Sequence, residues 1–154
     1  MKALYTIGYE GADLGRFISA LTRHGVDYVL DVRERPSSRK RGFSKTPLRE
    51  ALARNGIRYH HERLLGGPRP LRDRLRRDGD YAGYFADFDR YLDTQIPLLE
   101  KLAKTLQGRV ALLCFEHDIN HCHRREVARA LARLTGLQPE HLKPDEESPI
   151  RHHA

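Results

Sequence analysis

The stretch Arg-Val-Ala-Leu-Leu-Cys-Phe at residues 109–115 is the most apolar segment of the chain, and it predicts the fold. A short, unbroken apolar run is typical of a strand that lies in the middle of a parallel sheet and is covered on both faces. The charged residue Glu116 follows the run directly. The strand is therefore predicted to end near Cys114 and Phe115, with a polar side chain at its tip.

Other strand-like segments flank this run along the chain. Three short apolar segments precede it, at residues 4–8, 28–32 and 57–60. A segment that runs through Leu142 and Pro144 follows it and is predicted as an additional edge strand.

Between these strands, apolar residues recur at the three- and four-residue spacing of amphipathic helices. Helices are predicted at residues 14–24, 47–55, 81–106 and 122–134. Pro97 is expected to bend the third of these or to divide it into two. Residues 33–46 and 64–80 are predicted as irregular loops. Because strands and helices alternate, the sequence predicts an α/β fold with a mainly parallel sheet of about four to five strands covered by helices.

The length of 154 residues predicts a single α/β domain over residues 1–145, followed by a mobile tail at residues 146–154. The longest apolar run, at residues 110–115, is too short to cross a bilayer. Met1 and Lys2 lead directly into the first strand without a signal-peptide stretch. A cytoplasmic protein with no membrane partner is therefore expected.

The formal net charge of +7 favours an anionic partner. Nucleic acid or a nucleotide is the obvious class of such partners. The alternative is that the abundance of arginine reflects the base composition of the genome and no partner at all.

In sheets of this kind, ligands bind beyond the carboxyl ends of the strands. Most of the polar residues that interrupt the apolar runs lie at those ends, at residues 8–10, 31–33, 59–61 and 114–116. The sequence therefore predicts a polar site along this edge of the sheet.

Cys122, His123 and Arg124 begin the last predicted helix, where unpaired backbone N–H groups and the helix dipole favour an anion. Cys122 is a candidate nucleophile, and the helix terminus is expected to lower its pKa. Arg124 is predicted to hold a phosphate or carboxylate by two hydrogen bonds, with His123 as a further substrate contact. The alternative is that Cys122 caps the helix while Arg124 pairs with a glutamate.

Two carboxylates at strand ends are candidates for proton transfer. Glu116 can act as a general acid or base, or it can form a salt bridge to Arg33 or Arg124. Asp31 closes an apolar strand, where a charge is costly unless it is paired or used. Cys114 lies inside the apolar strand and is interpreted as a small buried hydrophobic residue.

The loop after the second predicted strand is rich in basic residues. Arg33 and Arg39 are predicted to hold phosphate, the alternative being a solvated loop. Gly66 and Gly67 would allow the backbone to approach a ligand closely. Tyr59 is a candidate for stacking on a base.

A metal site has weaker support in the sequence. Imidazole and thiol groups are offered by His60, His61, His117, His121, Cys122 and His123. Zinc requires three or four ligands placed tetrahedrally, and no second CxxC or HxxxH pair is present. The sequence therefore predicts neither a metal nor another cofactor. A disulfide between the two cysteines is not expected in a reducing cytoplasm.

Several short motifs follow one another over residues 5–135. They are Thr6-Ile7-Gly8-Tyr9, Asp31-Val32-Arg33 with Pro36-Ser37-Ser38-Arg39, Gly42-Phe43, Gly56-Ile57-Arg58-Tyr59, Leu65-Gly66-Gly67, and Leu113-Cys114-Phe115-Glu116 with Cys122-His123-Arg124. In this order they resemble the prokaryotic family called domain of unknown function 488. The resemblance implies an α/β fold and a polar site built from the strand ends, and it implies no particular reaction.

The leading hypothesis is an enzyme that acts on a nucleotide or a nucleic acid. In this hypothesis Arg33, Arg39 and Arg124 hold phosphate. Asp31 or Glu116 transfers protons, and Cys122 is the candidate nucleophile. One alternative is a nucleic-acid-binding module without catalysis, whose contacts come from residues 33–41 and 69–77. Another is a small-anion or thiol-redox protein with a reactive Cys122.

Overall fold

The apolar run at residues 109–115 forms the middle strand of a parallel sheet. A computed structural model of the chain describes residues 1–144, and within them five strands pair in parallel in one sheet. The strands are β1 (Ala3–Gly8), β2 (Tyr28–Asp31), β3 (Arg58–His61), β4 (Arg109–Cys114) and β5 (Glu140–Leu142). The predicted tail at residues 146–154 lies outside the described residues.

The order of the strands brings three strand ends together. The order is β3-β2-β4-β1-β5, so β4 lies between β2 and β1. Leu113 is aligned with Asp31 of β2, and Cys114 is aligned with Gly8 of β1. Because the strands are parallel, these carboxyl ends lie along one edge of the sheet. The prediction of a mainly parallel sheet of four to five strands, including the edge strand that ends at Leu142, is confirmed.

Helices cover both faces of the sheet. Within residues 1–144 they are α1 (Leu14–Arg23), α2 (Lys45–Arg54), α3 (Arg69–Asp78), α4 (Tyr81–Asp93), α5 (Ile96–Thr105) and α6 (Arg124–Thr135). Single turns of 3-10 helix lie at Arg63–Leu65 and Ile119–His121. No helix in this part of the chain has both the length and the apolar content that a membrane crossing requires.

Alternate residues of β4 enter two separate hydrophobic cores. Leu112 belongs to the core that the sheet shares with α4, α5 and α6, and Phe88 of α4 is fully buried there. Leu113 belongs to the core under α1 and α2, where Phe17 of α1 is fully buried. Both faces of the middle strand are therefore apolar, which explains why its sequence is continuously apolar and does not alternate.

Residues 64–80 contain a helix, so the prediction of an irregular stretch is wrong. Pro70 lies in the first turn of α3, and Gly79 ends the helix with a φ of 64° in the left-handed region. Leu71 and Leu75 are the α3 residues that pack against the core, and both are only partly buried. This apolar stripe is too narrow to show a helical period among so many arginines.

The predicted helix at residues 81–106 is two helices. α4 ends at Asp93 and α5 begins at Ile96, with Pro97 in the first turn of α5. A proline is tolerated in a first turn, because the N–H group that it lacks has no partner there in any helix. Pro97 therefore marks the start of the second helix.

Gly8 lies where the chain crosses over the end of β1. An added Cβ at this position would lie 1.8 Å from the carbonyl oxygen of Glu116 and 3.1 Å from a guanidinium nitrogen of Arg124. Backbone cannot move away as a flexible side chain can, so the segment after β4 requires a glycine here.

We expect Gly8→Ala to destabilise the fold by about 1–3 kcal/mol, because the new methyl group displaces the segment after β4. The measurement is the free energy of unfolding from urea denaturation. Gly15→Ala is the control, since Gly15 is exposed in α1 and a Cβ there would make an ordinary contact of 3.5 Å with Asp13. The control should change stability by less than about 0.5 kcal/mol. Equal stability of the two variants would contradict this account of the crossing.

Candidate functional site

A cavity of about 500 Å³ lies along the predicted edge of the sheet, and we call it the strand-end cavity. Its walls come from the strand ends, the loop after β2, helices α3 and α4, and the connection between β4 and α6. The lining residues are Tyr9, Arg33, Glu34, Arg35, Ser37, Ser38, Gly67, Arg72, Leu75, Arg76, Tyr81, Tyr84, Cys114, Phe115, Glu116, His121, Cys122 and His123.

Three buried side chains, Cys114, Cys122 and His123, form a cluster that lines the cavity, and we call it the thiol–imidazole cluster. They are 8%, 2% and 7% exposed, respectively. Each Sγ lies 3.8 Å from Nδ1 of His123. The two sulfurs and a ring nitrogen all lie within 4.8 Å of one another. The structure therefore places Cys114, which the sequence assigns to the core, beside the predicted site residue Cys122.

The imidazole ring of His123 is held in one orientation. Its Nε2 lies 2.7 Å from the backbone carbonyl oxygen of Val32 at the end of β2. Since a carbonyl oxygen can only accept a hydrogen bond, Nε2 carries a proton, and Nδ1 is the ring nitrogen that faces the two sulfurs. Phe88 packs edge-on against the ring, with centroids 5.3 Å apart.

The two thiols have opposite pKa shifts. The hydrogen bond from Cys122 lowers the pKa of Cys114 well below its ordinary value, against the effect of burial and with help from His123. Burial, followed by that same hydrogen bond, raises the pKa of Cys122 well above its ordinary value. This direction is opposite to the one that the sequence predicts for the pKa of Cys122, because burial of the thiol outweighs the charge and the backbone N–H of Arg124.

Asp31 is fully buried and forms an ion pair with Arg33. Oδ2 of Asp31 lies 2.7 Å from a terminal nitrogen of Arg33, and Oδ1 lies 2.9 Å from Nε. The hydroxyl group of Tyr59 donates a hydrogen bond to the same carboxylate. In the structure both Asp31 and Tyr59 help to position Arg33, and the roles that the sequence proposes for them in proton transfer and base stacking stay predictions.

The guanidinium of Arg33 ties the loop after β2 to the sheet. Its other terminal nitrogen donates to the carbonyl oxygen of Phe43 at 2.6 Å and to the hydroxyl of Tyr9 at 3.2 Å. Burial alone would lower the pKa of Arg33, but the hydrogen bonds and charge of Asp31 outweigh it and leave the pKa raised. Arg33 lines the cavity as predicted, whereas Arg39 is exposed on the loop and is not part of the lining.

Arg124 is buried, and the contacts that the structure shows for it are to the backbone, so its predicted anion contact stays a prediction. Its guanidinium donates to the backbone carbonyl oxygens of Glu116 and His117. These contacts hold the segment that follows β4 against the start of α6. The predicted alternative, a salt bridge from Arg124 to a glutamate, does not describe the contact either, because the acceptors are backbone oxygens.

Glu116 is half-buried, and it lines the cavity as predicted. Oε1 of its carboxylate accepts a hydrogen bond of 3.2 Å from the backbone N–H of Asp118. This bond orients the carboxylate beside the cavity, where it can act as a general acid or base.

The two predicted glycines have different surroundings. A Cβ at Gly66 would lie 2.3 Å from the backbone nitrogen of Glu34, so Gly66 is required for packing against the loop after β2. Gly67 lines the cavity, where a Cβ would lie 2.5 Å from the hydroxyl of Tyr84. The close approach at Gly66 is therefore to the backbone of Glu34 and not to a ligand. The backbone of Gly67 lies at the wall of the cavity, where the sequence predicts a ligand contact.

The wall of the cavity contains two arginines from residues 69–77, a stretch that the sequence proposes for nucleic-acid contact and predicts as an irregular loop. Arg72 and Arg76 lie four residues apart on α3 and so face the same side of the helix. Arg72 pairs with Glu34 and donates from Nε to the carbonyl oxygen of Gly67 at 2.9 Å. Their four-residue spacing is the sequence signal for this wall, but it is informative only once residues 69–78 are known to be helical.

The histidines considered as metal ligands are not brought together. His60 pairs with Glu62, and His61 contacts the carbonyl oxygen of Arg33. His121 stacks on Tyr81 at the cavity, with ring centroids 4.2 Å apart. Among the described residues, the thiol–imidazole cluster is the one group of at least three such side chains close enough to share a metal ion.

Comparison with known protein families gives one match, to the family described as "Domain of unknown function DUF488", over residues 13–131. The chain belongs to this family. The matched part of the DUF488 chain contains the Asp31–Arg33 pair, Arg72 and Arg76 of α3, and the thiol–imidazole cluster. No curated protein and no solved structure matches the chain.

We expect Asp31→Asn to destabilise the fold by about 3–5 kcal/mol, because it leaves the buried Arg33 charge without its partner. The control is Asp73→Asn, which removes the exposed ion pairs of Asp73 with Arg69 and Arg76 on α3. Exposed pairs contribute little, so the control should cost less than about 1 kcal/mol. Both values come from chemical denaturation, and a cost for Asp31→Asn no greater than that of the control would contradict the positioning role.

Proposed function

We propose that this protein is an enzyme that acts on a small phosphate-bearing substrate of nucleotide size, bound in the strand-end cavity. One observation carries the proposal: the same cavity joins a cluster of two thiols and an imidazole with a wall of arginines. Reactive groups and anion-binding groups thus face one cavity at the edge where α/β proteins bind ligands.

The arginines support phosphate recognition. Four arginines line the cavity together with two glutamates, so guanidinium groups are the most numerous charged groups of its wall. Arg72 is oriented by Glu34 and the Gly67 carbonyl, while Arg35 and Arg76 are exposed at the mouth. A planar guanidinium can form two parallel hydrogen bonds with a phosphate, which makes arginine well suited to this task.

The size of the cavity and its aromatic residues favour a substrate with a planar ring. A volume of about 500 Å³ lies in the range of small-molecule sites. Tyr81 and Phe115 are large exposed side chains that line the cavity, and His121 stacks on Tyr81. Exposed aromatic faces of this kind stack on nucleobases.

The groups available for reaction are the thiol–imidazole cluster and the carboxylate of Glu116. Cys122 stays a candidate catalytic residue with Cys114 and His123 beside it, and Glu116 stays the candidate for proton transfer. Arg33 stays a candidate for phosphate contact, held in place by Asp31.

The ion pairs of α3 favour a small substrate over a nucleic acid. Arginines of this helix pair with neighbouring aspartates: Arg69 with Asp73, Arg74 with Asp78 and Asp87, and Arg76 with Asp73. These pairs reduce the net positive charge that α3 offers to a long phosphate backbone, whereas a single phosphate requires only the one or two guanidinium groups that line the cavity. A nucleic-acid-binding module is therefore the alternative, and it rests mainly on the exposed arginines of the loop after β2.

A thiol-redox protein is the second alternative. The observation that favours it is the short separation of the two sulfurs, which lie within 4.8 Å of each other in the cluster. Both thiols are almost fully buried, however, and disulfide exchange requires access of a second thiol to the sulfur. The alternative predicts reversible loss of both thiols on mild oxidation.

We expect Arg76→Ala to weaken the binding of nucleoside monophosphates by about tenfold, the effect of losing one charge-assisted hydrogen bond. Isothermal titration calorimetry gives the affinities. Arg90→Ala is a matched control, because both arginines are 72% exposed and each pairs with an aspartate three residues before it. Arg90 is not part of the cavity lining, so the control should bind normally.

The same titrations with single-stranded and duplex oligonucleotides separate the proposal from its main alternative. A small-substrate site should bind oligonucleotides no more tightly than mononucleotides. Tight oligonucleotide binding whose log affinity falls steeply with log salt, with no mononucleotide binding, would instead establish the nucleic-acid-binding module.

We expect Glu116→Gln to lower the turnover of a converted nucleotide by at least about 100-fold, since general acid–base catalysis contributes that much or more. Candidate nucleoside mono-, di- and triphosphates are incubated with the protein, and products are followed by ³¹P NMR and chromatography. Binding should change less than about threefold, because the substitution keeps the shape of the side chain. Glu100→Gln, an exposed change on α5, is the control. Unchanged turnover in Glu116→Gln would remove this residue from the mechanism.

A further inference from the structure

We propose that Cys114, Cys122 and His123 bind one zinc ion, with the fourth coordination position open to the strand-end cavity. This inference deepens the proposed function, because it assigns a chemical role to the thiol–imidazole cluster. It rests on the geometry of the three side chains, their second contacts and their position beside the cavity.

The ligand atoms already lie near the separations that zinc requires. With Zn–S bonds of about 2.3 Å and a Zn–N bond of about 2.0 Å, a tetrahedral ion separates each sulfur from the nitrogen by about 3.5 Å. The observed separation is 3.8 Å for both Cys114 and Cys122. The two sulfurs lie within 4.8 Å of each other, and a tetrahedral ion would place them about 3.8 Å apart. A shift of up to about 1 Å between the two thiol side chains therefore closes the site around the ion.

The ring nitrogen of His123 that faces away from the sulfurs makes the contact that is typical of a metal-binding histidine. Histidines that bind metals donate their other ring N–H to a carboxylate, a carbonyl or water, which fixes the tautomer and the orientation of the ring. Nε2 of His123 makes this contact with the carbonyl oxygen of Val32 at 2.7 Å. Nδ1, the atom nearest to both sulfurs, is then the nitrogen available to the ion.

The composition of the cluster suits zinc in a buried position. Two thiolates and one imidazole are ligands that zinc prefers, and two thiolates balance its double positive charge. All three residues are more than nine-tenths buried. A neutral site of this kind avoids the cost of placing an uncompensated charge in the interior.

The open position is what connects the metal to catalysis. Catalytic zinc sites have three protein ligands and a fourth position for water or substrate, whereas structural sites have four protein ligands. All three proposed ligands line the cavity, as does Glu116. The class of reaction is then hydrolysis: an oxygen of bound water forms a bond to the substrate, the bond to the leaving group breaks, and Glu116 moves the proton from the water to the leaving group.

The sequence does not predict this site, because Cys114 lies within the apolar run of β4 and is interpreted as a core residue. Nine residues separate it from His123 along the chain. The tip of β4 and the start of α6 must be folded against each other before the third ligand is present.

The experiment is the metal content of the purified full-length chain by inductively coupled plasma mass spectrometry. We expect close to one zinc per chain, loss of the zinc with a strong chelator, and recovery on adding zinc alone. Cys114→Ser, Cys122→Ser and His123→Asn should each lower the zinc content at least about fivefold. Arg76→Ala is the control and should keep its zinc, because Arg76 lines the cavity without being a ligand.

Cobalt binding tests the site in the wild-type chain, so the result does not depend on how well the variants fold. Co²⁺ added to the chelated protein should give the absorption bands of tetrahedral cobalt with thiolate ligands, and zinc should remove them. Zinc should also protect both cysteines from alkylation. A wild-type chain that neither contains nor binds zinc or cobalt overturns the proposal, and so does full zinc content in a folded Cys114→Ser variant.

The outcomes also separate this inference from the proposed function. Zinc in the protein without binding of any nucleotide contradicts the proposed substrate class and leaves the metal site standing. Nucleotide binding and turnover in a chain that binds no zinc contradict the metal site alone. Formation of a Cys114–Cys122 disulfide in the metal-free wild-type chain, with no metal binding after reduction, establishes the thiol-redox alternative.

Discussion

The buried ion pair between Asp31 and Arg33 is the contact on which one side of the cavity depends. The carboxylate of Asp31 at the end of β2 has no access to water, so it requires a cation nearby. Arg33, two residues later in the chain, is that cation. The guanidinium then reaches Tyr9 after β1 and the carbonyl oxygen of Phe43. A single arginine thus holds the polar loop after β2 against two strand ends.

The packing around this pair explains why a loop so rich in charge has a defined path. Tyr9 stacks on Phe43 with ring centroids 4.3 Å apart, and Phe43 packs edge-on against Phe17 of α1. The aromatic residues anchor the far end of the loop in the core under α1 and α2. The charged part between Arg33 and Phe43 therefore lies over the sheet edge, where Arg35 and Glu34 line the cavity.

A second contact, from Arg124 to the backbone after β4, forms the other side. After Cys114 the chain leaves β4 and crosses over Gly8 before it enters α6. Arg124, the first residue of α6, donates to the carbonyl oxygens of Glu116 and His117 in this connection. This connection places Cys122 and His123 next to Cys114. The thiol–imidazole cluster therefore forms only when the connection between β4 and α6 folds back against the end of β4. Arg124, which the sequence predicts as an anion contact, stabilises this connection.

The sequence by itself determined the α/β class, the parallel sheet and the edge at which polar side chains gather, because apolar periodicity and strand ends are local properties of the chain. It also determined that Arg33, Glu116, Gly67, Cys122 and His123 lie near that edge. Only the tertiary structure decided that Asp31 and Arg124 serve other protein groups, that α3 forms a wall of the cavity, and that Cys114 joins Cys122 and His123. The reason is physical: the partner of a buried charge and the neighbours of a thiol depend on contacts between segments far apart in the chain, which no local pattern records.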